Sequence, residues 1–351
     1  MVELSRSGVL RAWASVLLAL AILGGFISCG RGGRASVPDK PPLIGLSMDS
    51  LVVERWRRDM DAFVASASDL GAQVVIRVAD QDPMVQERQV KELLDMGIDV
   101  LVIIPNDADL LTGAVMDVLA RRIPILSYDR LVRNAGVDLY VSFDNEKVGA
   151  MIAESLVRSV PEGNFVIING PRNDNNAILL NLGMHRILDP LVAADRIRIV
   201  AEIWPEYWDS GEIRVAFELV LARNRDVDAV AVGNDMLAEA AIGVLSEYRM
   251  AGIVKVAGQD ADLAACQRIA EGLQLATVYK PIERLALSAA GFAVMLAKGE
   301  RVRTDSYIDD GKGKVPYIRL EPILVTRETL ESTVIADGFH KREDVFRNVV
   351  Q

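Results

Sequence analysis

Histidine is scarce in this chain: its 351 residues hold two, His185 and His340. Neither a histidine-based catalytic triad nor a histidine metal cluster can be assembled from so few, and no metal site is expected. Cysteine is as rare, with Cys29 and Cys266 the two examples, so no disulfide framework is expected. No Gly-x-Gly-x-x-Gly follows a strand-like run and no Walker sequence occurs, which removes the readable signatures of a nucleotide cofactor. Positive charge is also short. Lys and Arg number 39 against 49 Asp and Glu, for a net charge of −10, and no basic stripe is present to grip the phosphates of a nucleic acid. Carboxylates are plentiful enough for a hydrolase pair, yet nothing marks one pair among them. The composition therefore speaks against an enzyme and against any cofactor.

One long apolar run is present, at the N-terminus. Arg6 and Arg11 precede it and the next charge is Arg31, the pattern of an export signal over residues 1–28. The run ends in Phe26-Ile27-Ser28-Cys29-Gly30, which resembles a lipobox, so Cys29 is expected to carry lipid after cleavage. Residues 29–42, rich in Gly, Arg, Ser and Pro, are too polar to pack and read as a lipidated tether. Cys266, in an apolar Leu-Ala-Ala-Cys setting, reads as a small core residue.

Beyond the tether, short apolar runs alternate with segments of helical period. Strands are expected at Leu43–Met48, Gln73–Val78, Val100–Ile104, Ile123–Ser127 and Leu139–Phe143, then at Phe165–Ile168, Ile197–Ile203, Ala229–Val232, Ile253–Ala257 and Leu275–Val278. A last helix over Ile282–Ala297 and a last strand over Tyr317–Val325 follow. This alternation predicts an α/β protein of parallel sheets covered on both faces. The strands divide around Asn145 into two doubly wound lobes.

Open parallel sheets bind ligands beyond the carboxyl ends of their strands. Those positions hold Asp49, Arg55-Trp56, Asp129-Arg130, Asp174-Asn175-Asn176, Trp204 and Trp208, Asn234-Asp235, Gln259-Asp260 and Tyr279-Lys280. Carboxylates, amides and cations suit a rim of hydroxyls, and a tryptophan suits a flat C–H face. A monosaccharide has both. Other readings compete: Asp144, Asp235 and Asp262 precede helices and could be caps, Trp56 lies on the apolar stripe of its helix, and Arg55 lies off that stripe, as a solvated residue would.

Several segments resemble one family in order and spacing, among them Leu51-Val52-Val53-Glu54-Arg55-Trp56, Tyr128-Asp129-Arg130, Asp174-Asn175-Asn176-Ala177, Gly258-Gln259-Asp260-Ala261-Asp262-Leu263 and Thr277-Val278-Tyr279-Lys280-Pro281. The chain resembles the type I periplasmic sugar-binding proteins of ABC importers, and within them the D-xylose binders. The resemblance implies that Arg55, Asp129 and Arg130 hold sugar hydroxyls from the first lobe and Asn176, Asn234 and Asp260 from the second. Lys280 would contribute at a crossing between lobes, with Asp174 beside Asn176, and Trp56 and Trp208 would sandwich the ring. It also implies three crossings, near Asn145, Val278 and Tyr317. The expected lobes are 43–145 with 280–316, and 146–279 with 317–340, followed by a tail over 341–351. The ligand would be D-xylose or a related monosaccharide, and the partner an ABC permease served by a monomer lipid-anchored to a bacterial membrane on its periplasmic or extracellular face. A sensory role, presenting bound sugar to a membrane histidine kinase or chemoreceptor, uses the same residues.

Overall fold

Strands buried on both faces need unbroken apolar sequence, and the runs named above supply it. In the computed structural model, which describes residues 40–349 apart from Glu54, the first five runs form β1 (Leu43–Met48), β2 (Gln73–Val78), β3 (Val100–Ile103), β4 (Ile125–Tyr128) and β5 (Leu139–Phe143). The next five form β6 (Gly163–Ile168), β7 (Ile197–Ile203), β8 (Ala229–Val232), β9 (Lys255–Gln259) and β10 (Ala276–Tyr279). Three late strands complete the sheets: β11 (Tyr307–Asp309), β12 (Lys314–Leu320) and β13 (Ile323–Thr326). The first sheet has the order β11-β12-β5-β4-β3-β1-β2 and the second β13-β10-β9-β8-β6-β7. Setting the late strands aside, each sheet repeats one order, with its first strand between its second and third. This is the two-lobed α/β architecture expected from the alternation.

The connecting helices are α1 (Arg55–Asp69), α2 (Pro83–Asp95), α3 (Thr112–Ala120), α4 (Asn145–Ser159), α5 (Asn175–Ala193), α6 (Ser210–Arg223), α7 (Asp235–Glu247), α8 (Leu263–Glu271) and α9 (Ile282–Ala297). On the first sheet, α1 and α9 cover one face through Trp56, Phe63, Leu285 and Ala289. Helices α2 and α3 cover the other through Val90, Leu94, Val115 and Val118. On the second sheet, α6 and α7 take one face through Ile213, Phe217 and Leu237, and α4 and α5 the other through Val148, Ile152, Leu180 and Met184. The α4–α5 contact depends on glycine. A Cβ on Gly149 would lie 1.9 Å from the Leu180 carbonyl oxygen, and one on Gly183 1.9 Å from that of Glu146, so only hydrogen at both positions lets the backbones approach.

The late region departs from expectation. One strand over Tyr317–Val325 is in fact two, and they belong to different sheets. Strand β12 runs parallel to β5, from Tyr317 opposite Tyr140 to Leu320 opposite Phe143, whereas β13 pairs antiparallel with β10. The break falls at Glu321-Pro322, where proline has no N–H to continue the ladder. The boundary expected between 316 and 317 therefore lies inside β12, and the third crossing comes at Glu321-Pro322. The other crossings fall at Asp144, between β5 and α4, and at Lys280-Pro281, between β10 and α9. The segment expected as a free tail is partly docked. A short helix α10 (Arg342–Val345) buries Val345, and the Asp344 carbonyl accepts a hydrogen bond from Gln267 at 2.8 Å.

Among the described residues no helix is long and apolar enough to cross a membrane. The apolar N-terminal run and Cys29 lie outside the described residues.

Candidate functional site

The carboxyl ends of both sheets deliver side chains to one narrow cavity with about 320 Å³ of atom-free space, its mouth included. It is lined by Arg55, Trp56, Asp129, Arg130, Asp174, Asn176, Trp208, Asn234, Asp260 and Lys280, together with Val53. All ten expected positions are brought together. Arg55 and Trp56 stand in the first turn of α1, after β1, and Asp129 and Arg130 follow β4. Asp174 caps α5 and Asn176 lies in its first turn, Asn234 precedes α7, Asp260 follows β9 and Lys280 follows β10. Larger open grooves elsewhere, such as one with about 1030 Å³ of atom-free space beside Arg122, Asp138 and Glu300, gather no comparable set from two lobes.

Charges meet across the cleft in pairs. Arg55 binds Asp129 through Nη2 at 2.9 Å and its own helix neighbour Asp59 through Nε at 2.9 Å. Its Nη1 stands 3.5 Å from Asp260 of the other lobe. Arg130 spans the lobes more tightly, with Nη1 2.8 Å from Asp49 and Nε 2.8 Å from Asp174. Asn176 donates through Nδ2 to the Asp129 carboxylate at 3.0 Å and to its carbonyl at 3.1 Å. Lys280 Nζ is 2.9 Å from Asp260 Oδ1.

Every one of these groups is buried, and each buried charge has an opposite charge beside it. Burial alone would push the Asp129 carboxyl up, but Arg55, Lys280 and Arg130 together hold it below the usual carboxylate range. Burial likewise opposes the Arg55 charge, and Asp129, Asp59 and Asp260 outweigh it, raising Arg55 well above the ordinary arginine value. At Asp59 burial prevails over Arg55 and the carboxyl is raised.

Left-handed backbone recurs at both sides of the cleft. Asp129 has φ +59°, and Asp260 and Ala261 have +96° and +54°, in the left-handed region that non-glycine residues disfavour. Both aspartates sit at the same place in their lobes. The Asp129 N–H donates to Val141 on β5 at 2.8 Å, and the Asp260 N–H to Val278 on β10 at 2.9 Å. The chain turns off each sheet with an aspartate aimed into the cleft.

The tryptophans differ in how they are held. Trp56 joins the α1 core and also lines the cavity, with the Arg55 and Arg130 guanidinium carbons 4.7 and 5.3 Å from its ring centre. Arg55, off the apolar stripe, is nonetheless 4% exposed: it faces the cleft rather than solvent. Trp208 donates to Asp174 at 3.1 Å, and its ring lies over Gly170, where a Cβ would come within 2.3 Å of it. Trp204 stays outside, under Arg172 at 3.9 Å.

Several supporting residues escaped the sequence reading. Asp59 accepts from Tyr128 at 2.6 Å, and Tyr140 and Ser142 each donate to the Asp129 carbonyl at 2.7 Å. Asn145 donates to Asn176 at 2.9 Å. The i,i+4 spacing of Arg55 and Asp59 could have drawn attention to Asp59; Tyr128, Tyr140 and Ser142 looked like ordinary strand residues. Capping also fell differently. Asp144 caps α4 through the Lys147 N–H, but the cap of α7 is Asn234, and Asp262 makes no side-chain cap bond. Asp235 is turned inward instead. Among the described residues no group of three or more His, Cys, Asp or Glu side chains could hold a metal ion.

Comparison with known proteins agrees with this geometry. The family model described as a periplasmic binding protein domain matches residues 44–301. A D-xylose-binding periplasmic protein of Haemophilus influenzae is 42% identical over 313 residues, covering 89% of this chain and 94% of its own. Its Escherichia coli counterpart is 40% identical over 303 residues, covering 86% and 92%. Among solved structures, a carbohydrate transporter solute-binding protein of Chloroflexus aurantiacus in complex with D-glucose superposes with a TM-score of 0.81 at 26% identity, covering 87% of this chain and 98% of that one. The chain belongs to the periplasmic binding protein family. Its relatives are binding proteins rather than enzymes, and so is this chain.

Proposed function

We propose that this protein captures a monosaccharide, D-xylose in the first place, in the cleft between its lobes and delivers it to an ABC importer. The observation that carries the reading is the convergence of cations, carboxylates, amides and two indoles from both lobes on one narrow buried cavity. Such a set matches the hydroxyl rim and C–H faces of a pyranose. One buried polar atom of a lining residue, Trp56 Nε1, makes no hydrogen bond among the described residues, a need that a sugar hydroxyl would meet. The identities of about two in five to the D-xylose-binding relatives favour xylose over hexoses. Arg55, Asp129, Arg130, Asp174, Asn176, Asn234, Asp260 and Lys280 hold the hydroxyls in this reading, with Trp56 and Trp208 on the ring.

Calorimetry of the purified protein against pentoses and hexoses tests it. Xylose should bind most tightly and be recovered chemically unchanged; tighter binding of a hexose, or no sugar binding at all, sinks the xylose assignment. The anchor is a separate part of the proposal, in which lipid on Cys29 holds the monomer to the membrane. Cys29→Ala should abolish incorporation of labelled fatty acid, and equal labelling of both proteins would exclude the anchor.

A further inference from the structure

Asp235 is a buried carboxylate behind the cleft that neither the sugar contacts nor the helix cap employ. It is 1% exposed although it opens α7. Its Oδ1 accepts from Gln274 at 2.7 Å, and its Oδ2 accepts from the Thr277 hydroxyl at 2.6 Å and from the Asp262 N–H at 3.3 Å. The Thr277 oxygen in turn accepts the N–H of Ala261 at 3.1 Å. On the other side of the same residue, the Ala261 carbonyl oxygen lies 2.7 Å from His340 Nε2 and accepts from Cys266 Sγ at 3.5 Å.

Ala261 is the residue that most needs such support. It is left-handed without glycine's freedom or an aspartate's local hydrogen bonding, and it directly follows the equally left-handed Asp260. If Ala261 relaxed to right-handed backbone, the Asp260 carboxylate would leave its place beside Lys280 and Arg55. The room for Asp235 is also built in, because a Cβ on Gly258 would lie 2.7 Å from its Oδ1. At the matching turn of the first lobe the hydroxyls of Tyr140 and Ser142 brace Asp129 directly. The second lobe braces its turn from one residue further along.

We propose that Asp235, acting through the Thr277 hydroxyl, is a positioning residue that holds the Ala261 turn and so aims the Asp260 carboxylate at the ligand. The inference rests on the reading that Asp260 contacts the sugar.

The test compares xylose dissociation constants and unliganded melting curves for Thr277→Val, Thr277→Ser, Asp235→Asn and Asp260→Ala in the purified protein. Thr277→Val keeps the shape and removes the hydroxyl, so it should raise the dissociation constant about tenfold. Thr277→Ser should restore near-native affinity, and Asp235→Asn should resemble Thr277→Val. In a double-mutant cycle, Thr277→Val should add little to Asp260→Ala, because the first acts through the second. Native affinity in Thr277→Val, equal weakness in Thr277→Ser, or fully additive losses would each overturn the inference while leaving the cleft assignment intact. So would a melting loss in Thr277→Val at unchanged affinity, which marks a purely structural hydroxyl. Native affinity in Asp260→Ala would instead overturn the cleft assignment itself, and the inference with it.

Discussion

The two lobes place an aspartate at the same point of the same strand order, yet the cations that face it come from different places. Asp129 of the first lobe lies among cations, with Arg55 bound to it and Arg130 following it in the chain. Asp260 of the second lobe has no arginine from its own lobe beside it; it meets Lys280 at the crossing and Arg55 from across the cleft. The first lobe thus contributes Arg55 and Arg130, and the second contributes Asp174 and Asp260 to receive them. Separating the lobes would leave charges of opposite sign on the two faces, each regaining hydration as its cross-lobe partner is lost. The lesson of the comparison is that equivalent positions in a duplicated architecture need not do equivalent work. One lobe holds the cationic hub and the other closes onto it.

The largest effect should come from removing the hub. Arg55 faces Asp59, Asp129 and Asp260, and Arg55→Met leaves three buried carboxylates sharing what cations remain. Stripping one partner from a buried pair costs about 3–5 kcal/mol. Denaturant unfolding of unliganded Arg55→Met at neutral pH should show a loss of that order, and calorimetry should show no xylose binding. Asp260→Asn, which keeps an oxygen near Lys280, should lose far less stability. Equal losses in the two variants would break the distinction between hub and receiver.

A smaller effect should separate the two indoles. Trp56 is fixed by the first-lobe core and two guanidinium groups. Trp208 is seated over Gly170 and tied to Asp174. Gly170→Ala should lift Trp208 and weaken xylose binding about tenfold, or ~1.4 kcal/mol. The melting temperature without ligand should fall less than in Arg55→Met, because the ring packs against the second-lobe core without being enclosed in it. Native affinity in Gly170→Ala would show that the Trp208 face carries no part of binding.

Much of this was legible in the sequence. Runs such as Val100–Ile103 and Ala229–Val232 are apolar throughout because both faces of each strand are covered, and the residues after strand ends stood out because charge and amide follow apolar sequence abruptly. What escaped notice lay where one residue type serves two purposes. Tyr140 and Ser142 alternate with Val141 on β5 like any strand residues, and nothing local marks their hydroxyls as braces for Asp129. Asp235 had the position of a cap, yet Asn234 took that role and left Asp235 to turn inward. The late strand was misread because Tyr317–Val325 is apolar enough to run as one; Pro322 was the available signal that a ladder had to break there.

A difference is also expected in how the two lobes respond to pH, and its sign follows from the partners. Asp129 is held below the usual carboxylate range, burial being outweighed by Arg55, Lys280 and Arg130. A depressed carboxyl adds stability above its unfolded pKa of about 4, and that contribution is lost as pH falls through the lower folded value. Asp235 runs the other way. Burial, aided by the charge of Asp260 and opposed by Thr277, Arg268 and Gln274, raises it to about 7. Between about 4 and 7 the folded protein keeps a proton there that the unfolded chain releases, so stability falls as pH rises across that window. Asp129→Asn should therefore flatten the acid limb of the stability–pH curve below about 4 and leave the neutral region parallel to wild type. Asp235→Asn should flatten the slope between about 5 and 7 and leave the acid limb in place. Unfolding free energies of the three unliganded proteins from pH 3 to pH 8 supply the comparison. If both variants alter the same limb, the two aspartates share one electrostatic environment, and the division between the lobes drawn above does not hold.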